Sequence, residues 1–274
     1  MRNLIIALVI LLPIVIGCNE DEDRIIQTDL TAEAAELFSI SNTWNESLYF
    51  ALIPWEEYVQ MGTVGSVKLP SCPDIFLNEE SREVTLQFPA STECTQSGTY
   101  ARSGKLIIRF DTTLLSPAKK WTMEYDAYKF RTNTIEGIRT FTGNDSLQVL
   151  EEFNEITEKT ENKLSSTFSG KLIHTKTYAN DSVSSFTSLG RIQGTNAAGR
   201  NFEITLENPI NHFISCYHQN EILPSTGMEN WFVSRKGNSQ VSYGVTYEPQ
   251  IDGCKVSANA TLPDGRKFLL NPTE

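Results

Sequence analysis

"VSYGVTY", residues 241–247, is the stretch from which the fold is read. Val241, Tyr243, Val245 and Tyr247 alternate with Ser242, Gly244 and Thr246. A period of two places the large apolar side chains on one face of a strand and the small or polar ones on the other. One dry face and one wet face is the pattern of antiparallel sheet. Outward from here the alternation returns in Val256, Ala258, Ala260 and Leu262, and in Trp121, Met123, Tyr125 and Ala127. It returns again in Leu106, Ile108 and Phe110 and in Val84, Leu86 and Phe88. Turn residues fall between the runs: Asn78-Glu79-Glu80-Ser81, Ser116-Pro117, Gly143-Asn144-Asp145, Ala198-Gly199 and, most clearly, Asp264-Gly265. The expected fold is mainly β, with antiparallel sheets arranged as a meander, a sandwich or a curved open sheet. Glu151 to Lys163 is ambiguous: its charge suits a short helix or an exposed loop, its place in the chain also allows polar strands pairing outside the main sheet, and strand or loop is the expectation.

Before Gly62 the period is different. Leu30, Ala34, Leu37, Ser41, Trp44, Leu48 and Ala51 step by four and three, which is one stripe of a helix. Thr31 is placed to cap it and Glu33 to sit in its first turn. The spacing predicts one helix from about residue 31 to Leu52, stopped by Pro54 and packed on the sheet.

The first residues read as an address. Leu4 to Ile16 is an apolar run of 13 residues after Arg2. As a helix it would rise roughly 20 Å, short of the ~30 Å hydrocarbon core. A basic start, a short apolar run and Gly17 before a break follow the grammar of an export signal. Val15-Ile16-Gly17-Cys18 resembles a bacterial lipobox, which implies cleavage before Cys18 and lipidation of its thiol. Glu20, Asp21, Glu22 and Asp23 cannot pack and are expected to stay solvated. They resemble the acidic export signal that follows the lipidated cysteine in surface lipoproteins of Bacteroidetes. The expected organisation is a signal peptide at 1–17, an acidic tether at 18–30, a helical region at 31–62 and a β body at 63–274. "SGKLIIRF" (103–110) and "SGKLIHTK" (169–176), with "IEGIRTFTG" (135–143) and "IQGTNAAG" (192–199), suggest two related halves, about 63–160 and 161–274.

The formal net charge is -11. That excess of carboxylates argues against a nucleic-acid partner. Beyond Cys18 there are four cysteines, Cys72, Cys94, Cys216 and Cys254. An even number in an exported chain reads as disulfides. Three connectivities are open, and the local one, Cys72–Cys94 and Cys216–Cys254, is expected because each pair brackets one apparent hairpin region.

Five stretches taken in order carry a wider likeness: "CPDIFLNEESREVTLQF", "TECTQSGTYARSGKLIIRFDTT", "YKFRTNTIEGIRTFTG", "IQGTNAAGRNFEITLENPI" and "CKVSANATLPDGRKFLL". Over roughly residues 70–270 the chain resembles the β-rich surface lipoproteins of Bacteroidetes. The resemblance implies an outer-membrane, lipid-anchored, outward-facing protein and brings no activity with it. Ser242-Tyr243-Gly244 stands where many of those proteins carry Asp-Tyr-Gly. Asp111-Thr112-Thr113, Asp145-Ser146-Leu147 and Asp181-Ser182-Val183 resemble their O-glycosylation motif, with Thr112, Ser146 and Ser182 as acceptors.

No HExxH, GxSxG or GxGxxG occurs, there is no CxxC, and His174, His212 and His218 are the only histidines. No metal or cofactor is expected. Asp and Glu together number 34, too many for a glycosidase pair to be picked out. Trp231, beside Asn230 in a polar, loop-like stretch, is the first candidate for stacking on a ligand. The expected role is a non-enzymatic binding or structural module at the cell surface, with a glycan or surface protein as partner. The alternative is an envelope-assembly or lipid-handling protein with an apolar groove under a curved sheet; a hydrolase is third.

Overall fold

A computed structural model describes residues 30–64, 69–89, 101–111, 119–143, 147–179, 182–219, 221–250 and 253–271. The strands are β1 (Asp74–Asn78), β2 (Glu83–Phe88), β3 (Arg102–Phe110), β4 (Lys119–Phe130), β5 (Asn133–Gly143), β6 (Gln148–Lys159), β7 (Ser165–Ala179), β8 (Ser182–Thr195), β9 (Asn201–Phe213), β10 (Thr226–Ser234), β11 (Gln240–Pro249), β12 (Val256–Thr261) and β13 (Lys267–Leu269). They form one 13-stranded sheet whose spatial order is the sequence order. Every neighbouring pair is antiparallel, so the molecule is a single meander rather than a sandwich. The sheet crosses residue 160 without a break through the β6–β7 pair.

The alternation sorts as expected except late in β4, where a bulge turns Ala127 outward and passes the buried face to Tyr128. Val84, Leu86, Leu106, Ile108, Met123, Val245, Ala258 and Ala260 are all fully buried. Asp264-Gly265 makes the β12–β13 turn, with Gly265 at φ +84°. Glu151 to Lys159, read as loop or as pairing apart, belongs to β6 and pairs in the main sheet between β5 and β7. Its charge misleads because Val149, Phe153 and Ile156 supply the buried face.

The helical region differs from the single helix expected. α1 runs Leu30–Asn45, so Thr31 lies inside its first turn and is not a cap. Glu46 and Ser47 interrupt the helix, and α2 follows at Leu48–Leu52. Pro54 does end α2, but its carbonyl accepts the N–H groups of Glu57 and Tyr58 and so starts α3, Trp55–Val64. Proline is suited to a helix start, where no N–H partner is needed.

The sheet is curled around α1 and α2. Eleven residues of α1 and all five of α2 are buried, on every side of the helix rather than along one stripe. Ser41 hydrogen bonds Glu229 on β10, and Glu46 pairs with Arg102 on β3. Ser41 on α1 and Glu46 just past its end are five residues apart, which even fully extended spans no more than ~18 Å. A flat sheet would hold β3 and β10 ~34 Å apart. Both contacts are made only if the sheet bends round the helix. Register shifts in β3–β4, β4–β5, β5–β6, β6–β7 and β8–β9 supply local bends. At the β3–β4 shift Gly104 has φ +82° and a Cβ there would lie 2.2 Å from the Ala127 carbonyl oxygen. The Cys216–Cys254 disulfide, with Cα atoms 5.1 Å apart, ties the short helix α4 (Ile214–Tyr217) to the bend that leads into β12.

Candidate functional site

Two arrangements of polar side chains stand out, one inside the curl and one outside it. Inside, the inward positions of β5 to β8 carry Arg139, Glu151, His174 and Ser188, all fully buried. The Arg139 guanidinium donates to Glu151 and, through Nη1, to the Ser47 hydroxyl at 2.8 Å. His174 Nε2 lies 2.8 Å from Glu151 Oε2, and its Nδ1 lies 2.8 Å from Ser188 Oγ. Burial alone would raise the Glu151 carboxyl, yet Arg139 and His174 outweigh it and hold it below its ordinary range. Serine, histidine and carboxylate stand in the contact order of an acyl-transfer triad. None of the three is reachable by a substrate, so here they brace three strands together.

A second buried set fixes the helices to strands far apart in the sheet. Arg102 on β3 donates to Glu46 Oε2 at 2.8 Å and to Ser71 at 2.9 Å. Tyr128 donates to the same Glu46 oxygen at 2.9 Å. Glu229 on β10 accepts from Ser41, from Trp231 Nε1 at 2.7 Å and from Tyr247 at 2.9 Å. Desolvation raises the Glu229 carboxyl above its ordinary range, and those three hydrogen bonds offset only part of it. At the start of α1, Glu33 accepts from Arg235, Tyr243 and Arg200. Burial pushes the Glu33 carboxyl up, but the three donors lower it overall. His212 is buried, which pushes its imidazole down to about 3 and keeps it neutral.

Outside the curl, a groove of about 680 Å³ opens on the wet face of β7 to β11. Its floor is set by register. Gln193, Glu203, Phe232 and Ser242 are cross-strand neighbours on β8, β9, β10 and β11. The next row is Arg191, Thr205, Asn230 and Gly244. Arg191 Nη1 lies 3.3 Å from Glu203 Oε2. Thr205 donates to the Asn230 carbonyl and so stays down against the sheet. Asn201 and Gln240 close one end. The volume lies within the range of roughly 300–1,000 Å³ usual for ligand clefts.

The residues singled out from sequence fall elsewhere. Cys18, Glu20, Asp21, Glu22, Asp23, Cys94, Thr112 and Ser146 lie outside the described residues. Cys216 and Cys254 form the expected bond, and Cys72 is disulfide-bonded too. Ser182 is exposed at the first position of β8. Trp231 is a correction: it is not in a wet loop but fully buried in β10, its indole N–H turned to Glu229. The odd positions of β10 face inward, so its neighbour Phe232 is the aromatic presented outward. α4 separates His212 at the end of β9 from His218, whose Nε2 lies 2.9 Å from the Tyr49 hydroxyl. Among the described residues no group of three or more His, Cys, Asp or Glu is placed to hold a metal ion, and no helix is long and apolar enough to cross a membrane.

The buried braces were missed because a charge was read as a mark of the wet face. The signal was there: Val149-x-Glu151-x-Phe153, Leu172-x-His174 and Glu229-x-Trp231-x-Val233 place the polar residue in phase with the apolar ones. The groove had no such signal, because its residues come from strands whose order and register had to be known first. No protein-family model matches the chain, and neither a curated protein nor a solved structure matches it.

Proposed function

We propose that this chain is a lipid-anchored surface protein of the outer membrane that binds a partner on the wet face of its sheet and carries out no reaction of its own. The location rests on Val15 to Asp23, with Cys18 as the anchor and Glu20 to Asp23 as the start of the tether. The observation that carries the binding reading is the placement of the groove. The helices fill the concave face, and the cleft lies opposite, on the face that a tethered body leaves open to its surroundings. Two alternatives lose ground for stated reasons. A lipid-handling role needs apolar space under the curve, and α1 and α2 occupy that space with buried side chains. A glycosidase needs two carboxyl groups roughly 5–9.5 Å apart across a cleft. The groove's Glu203 and Glu207 both come from β9, and Glu203 is already paired with Arg191.

Protease shaving of intact cells tests the location. Loss of the protein from the surface on protease treatment, and its release to a soluble fraction by Cys18→Ala, are expected. Full protection in cells with an intact outer membrane would place it in the periplasm and overturn the surface reading.

A further inference from the structure

We infer that the outer groove binds a neutral oligosaccharide, an inference that rests on reading this face as the binding face. Three features of the groove select that chemistry. The first is charge. Its one cation, Arg191, is already matched by Glu203, and Glu207 adds a second carboxylate. An anionic ligand, whether phosphate, sulfated glycan or nucleic acid, would meet an excess of like charge there. The second is the type of polar group. Gln193 and Gln240 each offer an amide with both donors and an acceptor, Asn201 offers its amide donors while its oxygen accepts from Thr195, and the Arg191–Glu203 pair offers a fork of donors beside a carboxylate. Such groups match neighbouring hydroxyls, each of which donates one bond and accepts others. The third is Phe232. It is half-buried on the groove floor, fixed between Glu203 and Ser242 in the ladder. A flat ring at that height gives the C–H face of a pyranose an apolar surface to lie on, while the rim binds its hydroxyls.

The space beside the ring is also kept clear. Gly244 is diagonal to Phe232 on the neighbouring strand, and nothing lies within 4 Å of where its Cβ would be. Thr205 is held down by its bond to the Asn230 carbonyl. A peptide ligand would instead seek a free strand edge or apolar pockets for alternate side chains. The groove lies on a sheet face, with β12 and β13 between it and the nearer free edge, and is lined mainly by amides, hydroxyls and paired charges.

The test is an array of neutral oligosaccharides of two to six units (glucans, mannans, xylans and galactans) beside sialylated and sulfated ones, probed with the full-length lipidated protein in detergent micelles. Binding to at least one neutral series is expected. Phe232→Ala should weaken it at least tenfold, and Glu203→Gln by about tenfold, with unchanged thermal unfolding midpoints. Lys129→Ala, on the remote strand β4, should leave it unaltered. A blank array with folded protein overturns the inference, as does binding that Phe232→Ala and Glu203→Gln leave intact. Binding of anionic glycans alone overturns it too. A blank array together with surface exposure in the shaving experiment removes the glycan and leaves the location standing; protection in that experiment removes the location whatever the array shows.

Discussion

Glu229 is a carboxyl with three hydrogen-bond donors and no cation among them. Its raised pKa means the fold favours the protonated form. A carboxyl raised on folding binds more protons in the native than in the unfolded state, so its contribution is full below the unfolded value and is lost as pH rises through the folded one. Glu229→Gln keeps the shape and removes that titration. Urea unfolding should therefore show the variant gaining on the parent protein as pH rises from 5 to 8. Glu229→Ala leaves the Trp231 and Tyr247 donors without an acceptor and should cost about 2–4 kcal/mol at both pH values. Arg139 and Glu151 make the opposite case. Their pair holds Glu151 below its ordinary range, so its contribution is present above the unfolded pKa and lost as pH falls through the folded one. Glu151→Leu alone strands a buried guanidinium and should cost about 3–5 kcal/mol. The double variant Arg139→Met with Glu151→Leu should cost clearly less than either single change, measured by the same unfolding curves.

At the scale of strands, the bulges decide the curvature. Ala127 sits at φ 48° on β4 beside the Gly104 shift. A left-handed non-glycine residue costs roughly 1–2 kcal/mol. Ala127→Gly relieves this but frees the unfolded chain, leaving a net gain of about 0.5 kcal/mol. The partner change, Gly104→Ala, drives a Cβ onto the Ala127 carbonyl and should cost more than about 2 kcal/mol. Gly199→Ala, at φ +74° with open space around it, should cost only about 1 kcal/mol. Thermal midpoints ranked Ala127→Gly, parent, Gly199→Ala, Gly104→Ala would bear out the bulge as a built bend. A reversed order of the last two would show that space at the shift does not matter.

For the whole molecule the helices are the core. Leu37, Ile40, Trp44, Leu48, Phe50 and Ala51 are essentially fully buried, and their partners are the inward residues of strands across the sheet. Burying a large apolar side chain contributes about 1.5–3 kcal/mol. A meander of this length has no second sheet to cover its concave face. Deletion of residues 30–52 should leave a product that binds an apolar dye strongly and melts without a cooperative transition. A cooperative melt in that deletion would mean that the sheet stabilises itself.

How much of this the sequence held depends on the reach of the interaction concerned. Local periodicity was legible: Val241 to Tyr247 alternate because a strand points successive side chains to opposite faces, and Leu30 to Ala51 step by three and four because a helix turns every 3.6 residues. Those rules act within one element, so they settled mainly β with an N-terminal helix, and the Asp264-Gly265 turn. They could not say that the helix is enclosed rather than laid on the sheet, because Ser41 and Glu46 meet strands 188 and 56 residues away. They misplaced Trp231, since a polar neighbourhood in sequence says nothing about which parity of β10 faces inward. The groove was beyond reach altogether. Gln193, Glu203 and Phe232 become neighbours only through ladder registers, and a shift of one residue in any of them would have turned that row to the core. The sequence by itself determined the periods of the elements and the candidate anchor at Cys18; the curl, the buried braces and the outer cleft were decided by long-range pairing, which no local rule encodes.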